Sequence, residues 1–310
     1  MKFTIYQESR QGQRRNNEDR IAYCYSRDAL LMVVADGMGG HYYGEVAAQI
    51  AAQTLTEAFR REAQPSLAEP FLFLQQEMNN AHRAILDFAA DHRLEDSPRT
   101  TCVACIIQGN VASWAHAGDS RLYLLRGGRL AAQTRDHSRV RALVDRGAIT
   151  EADATGHPER HKVYSCLGGP QAPEIELSRK TPLESGDVVL LSTDGFWEPL
   201  PVERIAAALL DTDLQKAVPA LLTQAEQRAD GHGDNLSVIA VRWHDSYVEP
   251  TLSTVSTQGM ASGDGATRLD EFGHNATSPN SPHRLDLSDE EIEQAIDEIR
   301  STIEKHATKE

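Results

Sequence analysis

This chain of 310 residues has no basic excess, no long apolar run and only four cysteines. Each of these absences removes a class of protein. The formal charge is −15, which argues against a general nucleic-acid surface, where a basic stripe is needed. Nothing approaches the roughly 18 consecutive apolar residues of a membrane span. The start, MKFTIYQESRQGQRR, lacks the apolar h-region of a secretory signal. The expectation is a cytoplasmic protein with neither a nucleic-acid nor a membrane partner. Cys24, Cys102, Cys105 and Cys166 read as small core or near-surface thiols. Cys102 and Cys105 form a C-x-x-C, but within TTCVACII, which reads as a strand. Residues three apart on a strand point to opposite faces, and no second pair completes a zinc site.

What is present is the composition of a globular domain with a sizeable core, 40% hydrophobic and 25% charged. The stretch LLMVVADGMGGH, Leu30 to His41, organises the rest. An unbroken apolar run to Ala35 reads as a buried strand that delivers Asp36 to an edge. Gly37, Gly39 and Gly40 then permit unusual backbone angles and let main-chain carbonyls approach an ion. Val188 to Gly195, VVLLSTDG, repeats the device. A single Asp-Gly is ordinary turn chemistry; two, with further acidic partners, suggest a site.

Strands are predicted over Phe3 to Glu8, Arg20 to Tyr25 and Leu30 to Ala35. Two helices follow. Val46, Ala47, Ile50, Ala51, Leu55, Ala58 and Phe59 lie on the buried stripe of the first, and Phe71, Leu74, Met78, Ile85, Leu86 and Phe88 on that of the second. Thr101 to Ile107 and Val111 to Ala115 are joined by Gly109-Asn110. Arg121 to Leu125 and Arg129 to Ala132 are joined by Gly127-Gly128. Two-residue loops of this kind make antiparallel hairpins, not a parallel sheet. Residues 134–170 form a long polar excursion. Strands near Glu174 to Leu177 and over Val188 to Ser192 come next, then helices around 202–210 and 214–229 and a last strand, Leu236 to Trp243. Two antiparallel sheets, each covered on its outer face by a helix pair, would bury all these apolar sides. The expected class is α+β, a four-layer α-β-β-α sandwich. The domain is placed at 1–245 and a flexible, Ser/Thr/Gly-rich linker at 246–287. An amphipathic helix at 288–306 could dock on a partner or on the catalytic part.

The candidate ligands are Glu18, Asp19, Asp36, Asp119, Asp194 and Asp234, most of them at a strand end or in a glycine-containing turn. Crowded carboxylates repel and raise each other's pKa unless cations neutralise them. An all-oxygen set selects a hard ion, Mg²⁺ or Mn²⁺, over zinc.

With these residues in order, the chain resembles the metal-dependent serine/threonine protein phosphatases of type 2C in their bacterial form. The matching stretches are Arg14 with Asn17-Glu18-Asp19, Asp36-Gly37-Met38-Gly39-Gly40-His41 with Gly44-Glu45, and Thr100-Thr101. Further on come His116-Ala117-Gly118-Asp119-Ser120-Arg121, Asp136-His137-Ser138, Ser192-Thr193-Asp194-Gly195 and Gly233-Asp234-Asn235. The resemblance covers roughly residues 3–243 and implies the same sandwich.

The resemblance also implies roles. Asp36, Asp194 and Asp234, with the Gly37 carbonyl, would hold a two-metal centre. Glu18 and Asp19 would bind through water or at its edge, and Asp119 with Asp194 would hold a third, weaker ion. Arg14 would clamp the substrate phosphate, with Arg15 as the fallback, because a guanidinium matches phosphate oxygens bidentately. The implied reaction is hydrolysis of phosphoserine or phosphothreonine by a metal-activated water, without a phospho-enzyme. The absence of a Cys-x₅-Arg loop agrees. The implied partners are phosphorylated Ser/Thr proteins and a cognate bacterial kinase. Small phosphate esters are an alternative substrate class, since the motifs read the phosphate and not its carrier. A non-catalytic phosphoprotein-binding module is the other alternative, and it would require lost metal ligands. Met38 departs from the eukaryotic pattern, where a histidine stands as a proposed general acid. A water or His41 would have to serve instead. Arg99 stands where a glycine usually precedes the threonine pair, and residues 138–165 occupy the family's variable flap.

Overall fold

The run beginning at Leu30 is apolar without interruption because both of its faces are covered. In a computed structural model describing residues 1–38, 43–210, 212–229, 231 and 233–245, it lies inside one of two stacked sheets. The chain opens with three strands, β1 (Phe3–Arg10), β2 (Asp19–Tyr25) and β3 (Ala29–Met38), followed by two long helices, α1 (Gly44–Glu62) and α2 (Pro70–Asp91). Five strands come next: β4 (Arg99–Thr100), β5 (Cys102–Gln108), β6 (Val111–Ala117), β7 (Arg121–Arg126) and β8 (Arg129–Gln133). The long excursion carries two short helices, α3 (Arg139–Asp145) and α4 (Glu151–Thr155). Then come β9 (Glu176–Leu177), β10 (Thr181–Pro182), β11 (Val188–Ser192), the single turn α5 (Asp194–Trp197), α6 (Val202–Leu209), α7 (Leu214–Arg228) and β12 (Leu236–Trp243).

One sheet has the order β1-β12-β11-β7-β8 and the other β10-β6-β5-β3-β2, with every pairing antiparallel. Alternation along β3 divides its side chains between two cores. Leu31, Val33 and Ala35 pack with Ala47, Leu55 and Phe59 of α1 and Leu74, Met78 and Ile85 of α2. Leu30, Met32 and Val34 face Leu122, Val189, Leu191, Ile239 and Val241 of the other sheet. That second sheet turns Leu190, Val238 and Ala240 outward onto Ile205, Leu209, Val218 and Leu221 of α6 and α7. The four-layer α-β-β-α sandwich is therefore the observed architecture. Cys102 packs in the helix-side core and Cys105 between the sheets, on opposite faces as their spacing requires.

Both hairpin loops run through positive φ, at Gly109 and Asn110 and at Gly127 and Gly128. Val188–Ser192 and Leu236–Trp243 occur as predicted. Two expectations are corrected. The strand through Leu30 does not stop at Ala35: β4 pairs with Gly37 and Met38 and carries β3 past Asp36. The buried face of α2 runs through Phe73, Leu74, Met78, Ala81 and Ile85, whereas Phe71, Leu86 and Phe88 are only half-buried. Among the described residues, no helix is long and apolar enough to cross a membrane. Gly39, Gly40 and His41, the linker at 246–287 and the helix at 288–306 lie outside the described residues.

Candidate metal centre

The site is built where strands from both sheets end. Asp19 opens β2 and pairs with Asp36 near the end of β3. Asp194 follows β11, and Asp234 precedes β12, which is β11's neighbour. Asp119 lies in the turn between β6 and β7, after Gly118 at φ +111°. Thr101 holds the Asp36 backbone: its hydroxyl accepts the Asp36 N–H at 3.1 Å, and its own N–H donates to the Asp36 carbonyl at 2.9 Å.

The glycines after two of these aspartates serve close approach. A Cβ on Gly37 would lie 2.2 Å from the Gly44 carbonyl oxygen, and one on Gly195 would lie 2.2 Å from that of Asn235. Neither has positive φ, so contact and not backbone angle demands glycine at both.

Arg14, Glu18, Asp36, Gly37, Asp119, Asp194 and Asp234 all line one cleft of 660 Å³. Arg15 is on its wall as well, as are Met38 and His161. Asp19 is the exception among the predicted ligands. It is 2% exposed and sits behind the wall, accepting a 2.9 Å hydrogen bond from the Thr193 hydroxyl. Arg14 reaches across the cleft, and its Nη2 donates to Asp234 Oδ2 at 2.5 Å. The Asp234 Oδ1 accepts the Asn235 N–H at 2.8 Å.

The carboxylates shape one another's chemistry. Burial pushes Asp36 well above the usual carboxylate range, and Asp19, Asp194, Asp119 and Asp234 add repulsion. Burial likewise drives Asp119 up, with Asp194 and Asp136 adding to it. Asp19 rises to about 7, mainly through burial and against the hydrogen bonds it accepts. Asp234 and Glu18 are raised for the same first reason, opposed in both cases by Arg14. Oδ1 of Asp19 and Oδ1 of Asp194 are buried without a hydrogen-bond partner. Buried acidic oxygens left unpaired, beside a cleft lined by further carboxylates, fit a hard divalent cation.

Three contributors were not assigned from sequence. The 6% exposed Asn235 ties the loop before β2 to β12: its Nδ2 donates to the Gln11 and Asn16 carbonyls at 2.8 and 2.9 Å, and its Oδ1 accepts the Glu18 N–H at 2.9 Å. Trp197 donates its indole N–H to the Asp119 carbonyl at 3.0 Å, and its ring lies under the Arg121 guanidinium, 3.3 Å away. Arg121 in turn is held by two 2.7 Å bonds to Asp136. His161, from the excursion, places Nδ1 3.8 Å from Asp194 Oδ2, and that carboxylate raises its pKa against the effect of burial. The motif Gly233-Asp234-Asn235 contained the only sequence signal among the three.

A four-layer sandwich with acidic strand ends converging beside an arginine defines a class, and sequence comparison identifies it. The chain belongs to the family described as Protein phosphatase 2C, whose sequence model matches residues 7–228. It is similar to the serine/threonine protein phosphatase PstP of Mycobacterium tuberculosis, 33% identical over 254 residues, which is 81% of this chain and 46% of PstP. The chain thus spans about half the length of that relative. The serine/threonine phosphatase stp of Listeria welshimeri is 30% identical over 231 residues, 74% of this chain and 90% of the relative. Among solved structures, the PstP catalytic domain in complex with two manganese ions superposes with a TM-score of 0.67 at 30% identity, covering 78% of this chain and 99% of that one.

Proposed function

We propose that this chain is a metal-dependent protein phosphatase that hydrolyses phosphoserine and phosphothreonine in proteins. The observation that carries the reading is the convergence of Asp36, Asp194 and Asp234, from three strand ends in two sheets, on the cleft that Arg14 enters. Such a donor set suits Mn²⁺ or Mg²⁺, and the relative with two manganese ions supports the choice. Asp36, Asp194 and Asp234, with the Gly37 carbonyl, would hold two ions; Asp119 with Asp194 would hold a third, and Glu18 would stand at the edge. Bound ions of this kind activate water and neutralise phosphate charge.

The chain's own residues do the rest. Arg14 is 60% exposed at its side chain, free to exchange the Asp234 carboxylate for two phosphate oxygens. Asp19 is a positioning residue in this reading, because it is not on the cleft wall and accepts its hydrogen bond from Thr193, the residue before Asp194. Asn235 fixes the loop that carries Arg14 and Glu18. Met38 lines the cleft and has no proton to donate to the leaving oxygen, so a water would supply the proton to the released serine or threonine, with His41 as the alternative. The physiological substrates would be phosphorylated Ser/Thr proteins of the cytoplasm, paired with a kinase that modifies them.

The test is release of inorganic phosphate from a phosphothreonine peptide. Turnover with Mn²⁺ or Mg²⁺, lost in excess EDTA and restored by either ion, is the expected result. Peptide binding without phosphate release under any of these conditions would overturn the reading in favour of a non-catalytic module.

A further inference from the structure

A second group of ligating side chains lies outside the carboxylate cleft, and its composition differs in kind. His116 on β6 and Glu176 on β9 are directly paired across antiparallel strands, so their side chains leave the same face. His137, just after β8, is brought to the same place by its backbone, whose N–H donates to the Gly118 carbonyl at 2.9 Å. One ligand atom from each of the three lies within 4.8 Å of the others. The two imidazole rings are 4.6 Å apart between centroids, and His137 Nε2 is 3.5 Å from Glu176 Oε2.

Both histidines are only 2% exposed, yet His116 Nδ1 and His137 Nε2 have no hydrogen-bond partner. Two buried ring nitrogens left without partners beside a carboxylate are costly unless something joins them. The other nitrogen of His116 shows what state the ring is in. Its Nε2 lies 2.7 Å from the Arg135 carbonyl and so must carry the proton, which leaves a lone pair on Nδ1. A carbonyl that fixes the tautomer of a ligating imidazole is the usual support around a metal. Burial, reinforced by His137, also keeps His116 below the ordinary imidazole range and hence neutral, the form that ligates. A 250 Å³ cavity is lined by His137, Tyr164 and Glu176, with Arg135, paired to Asp145, and Arg146 also on its wall.

The geometry points to a second metal site formed by His116 Nδ1, His137 Nε2 and Glu176, selective for a borderline cation such as Zn²⁺. Two imidazoles and one carboxylate suit zinc, whereas the all-carboxylate cleft suits harder ions. The site lies at the root of the 138–163 segment. Ser138 and Val163 form a bridge, and His137 and Tyr164, on either side of it, are joined by a 2.9 Å bond from the Tyr164 N–H to the His137 carbonyl. One contact opposes ligation: the Gly118 N–H points to His137 Nδ1 at 3.4 Å. Zinc on Nε2 requires the His137 proton on Nδ1, which releases this long bond one residue from Asp119. Occupancy is thereby linked to the backbone of the carboxylate cleft.

The experiment uses the full chain carrying Asp36→Asn and Asp234→Asn, so that the cleft is weakened and catalysis is not the readout. Zinc binding is followed by calorimetry, and Co²⁺ binding by its visible ligand-field absorption. Expected is a zinc site whose affinity falls at least about tenfold on adding Glu176→Gln and is lost on adding His116→Ala, with the Co²⁺ absorption falling in parallel. Glu176 is half exposed on a two-residue strand, so Glu176→Gln keeps the fold even where the buried His116 variant does not. Zinc affinity and a Co²⁺ spectrum unchanged by Glu176→Gln would overturn the proposal.

Discussion

Asp19 and Asp36 face each other across one paired position of β2 and β3, yet only Asp36 looks into the cleft. Asp19 is turned to the Thr193 hydroxyl, which itself accepts the Ser237 N–H at 3.0 Å. One carboxylate thus belongs to the cleft and its neighbour to the joint between the two sheets.

That division predicts a pH dependence for the metal-free protein. Burial raises Asp19 to about 7 from an ordinary value of 3.8, so the fold favours its neutral form. The stabilisation is complete below the unfolded pKa and is lost as pH climbs through about 7. Asp19→Asn cannot ionise and lacks this loss. In EDTA, the melting temperature of the parent should therefore fall relative to Asp19→Asn between about pH 4 and about pH 8. A constant difference across that range would show that Asp19 does not titrate there.

Asp36 and Asp194 are predicted to be indispensable for a different reason. As proposed metal ligands, each would balance cation charge, and an amide cannot. Asp36→Asn and Asp194→Asn should lower kcat on a phosphopeptide by several orders of magnitude, with loss of manganese affinity in calorimetry. Near-normal kcat in Asp36→Asn would remove the two-metal assignment.

Arg14 makes its ion pair with Asp234 in the absence of a phosphate. Loss of a charge-assisted bond to substrate costs about 1.5–3 kcal/mol, so Arg14→Ala should raise KM by roughly 10- to 100-fold. Manganese affinity should not fall, because the substitution frees Asp234 of a competing cation. Steady-state kinetics and metal titration on one preparation separate the two effects. Unchanged kinetics would transfer the clamp to Arg15, which lines the same cleft.

Asn235 should matter to both stability and substrate affinity. Its side chain is buried and satisfies the Gln11 and Asn16 carbonyls and the Glu18 N–H at once. Asn235→Ala leaves three backbone groups short of partners, at about 1–3 kcal/mol for a buried unsatisfied group. A lower denaturation midpoint and a raised KM are expected together. A change in stability with KM untouched would show that the loop does not position Arg14.

The elements legible in the sequence are those whose signal is local. Val188–Ser192 and Leu236–Trp243 are mostly apolar because both faces are largely covered, and turn chemistry at Gly109-Asn110 and Gly127-Gly128 fixed the hairpins. The α2 stripe misled because that helix is shared between α1 and the sheet, so a weak 3.6-residue pattern could be drawn through Phe71 as readily as Phe73. Six of the seven metal-ligand candidates line the cleft because each acid stands beside a strand end or a glycine. Asn235, Trp197 and His161 were opaque for the opposite reason. Their partners lie up to 224 residues away, and apart from the motif Gly233-Asp234-Asn235 nothing in their own surroundings announces the contact.

The final prediction concerns residues 246–310. In sequence, Ile292, Ala295, Ile296, Ile299 and Ile303 form one apolar stripe, and Ser288 with Glu291 has capping-box spacing. A helix so short is marginal alone, which suggests a docking element rather than part of the catalytic fold. The described part of the chain closes before that segment begins. Trp243 is fully buried between the sheets, the His244 N–H donates to the Lys2 carbonyl at 3.0 Å, and the Asp245 carboxylate accepts the Lys2 N–H at 2.8 Å. The last strand is thus fastened to the first by contacts made within residues 1–245. A chain ending at Asp245 should keep kcat on a small phosphopeptide within a few-fold of the full chain, with metal affinity unchanged. Loss of activity as severe as in Asp36→Asn would place the tail inside the catalytic fold and move the domain boundary beyond Asp245.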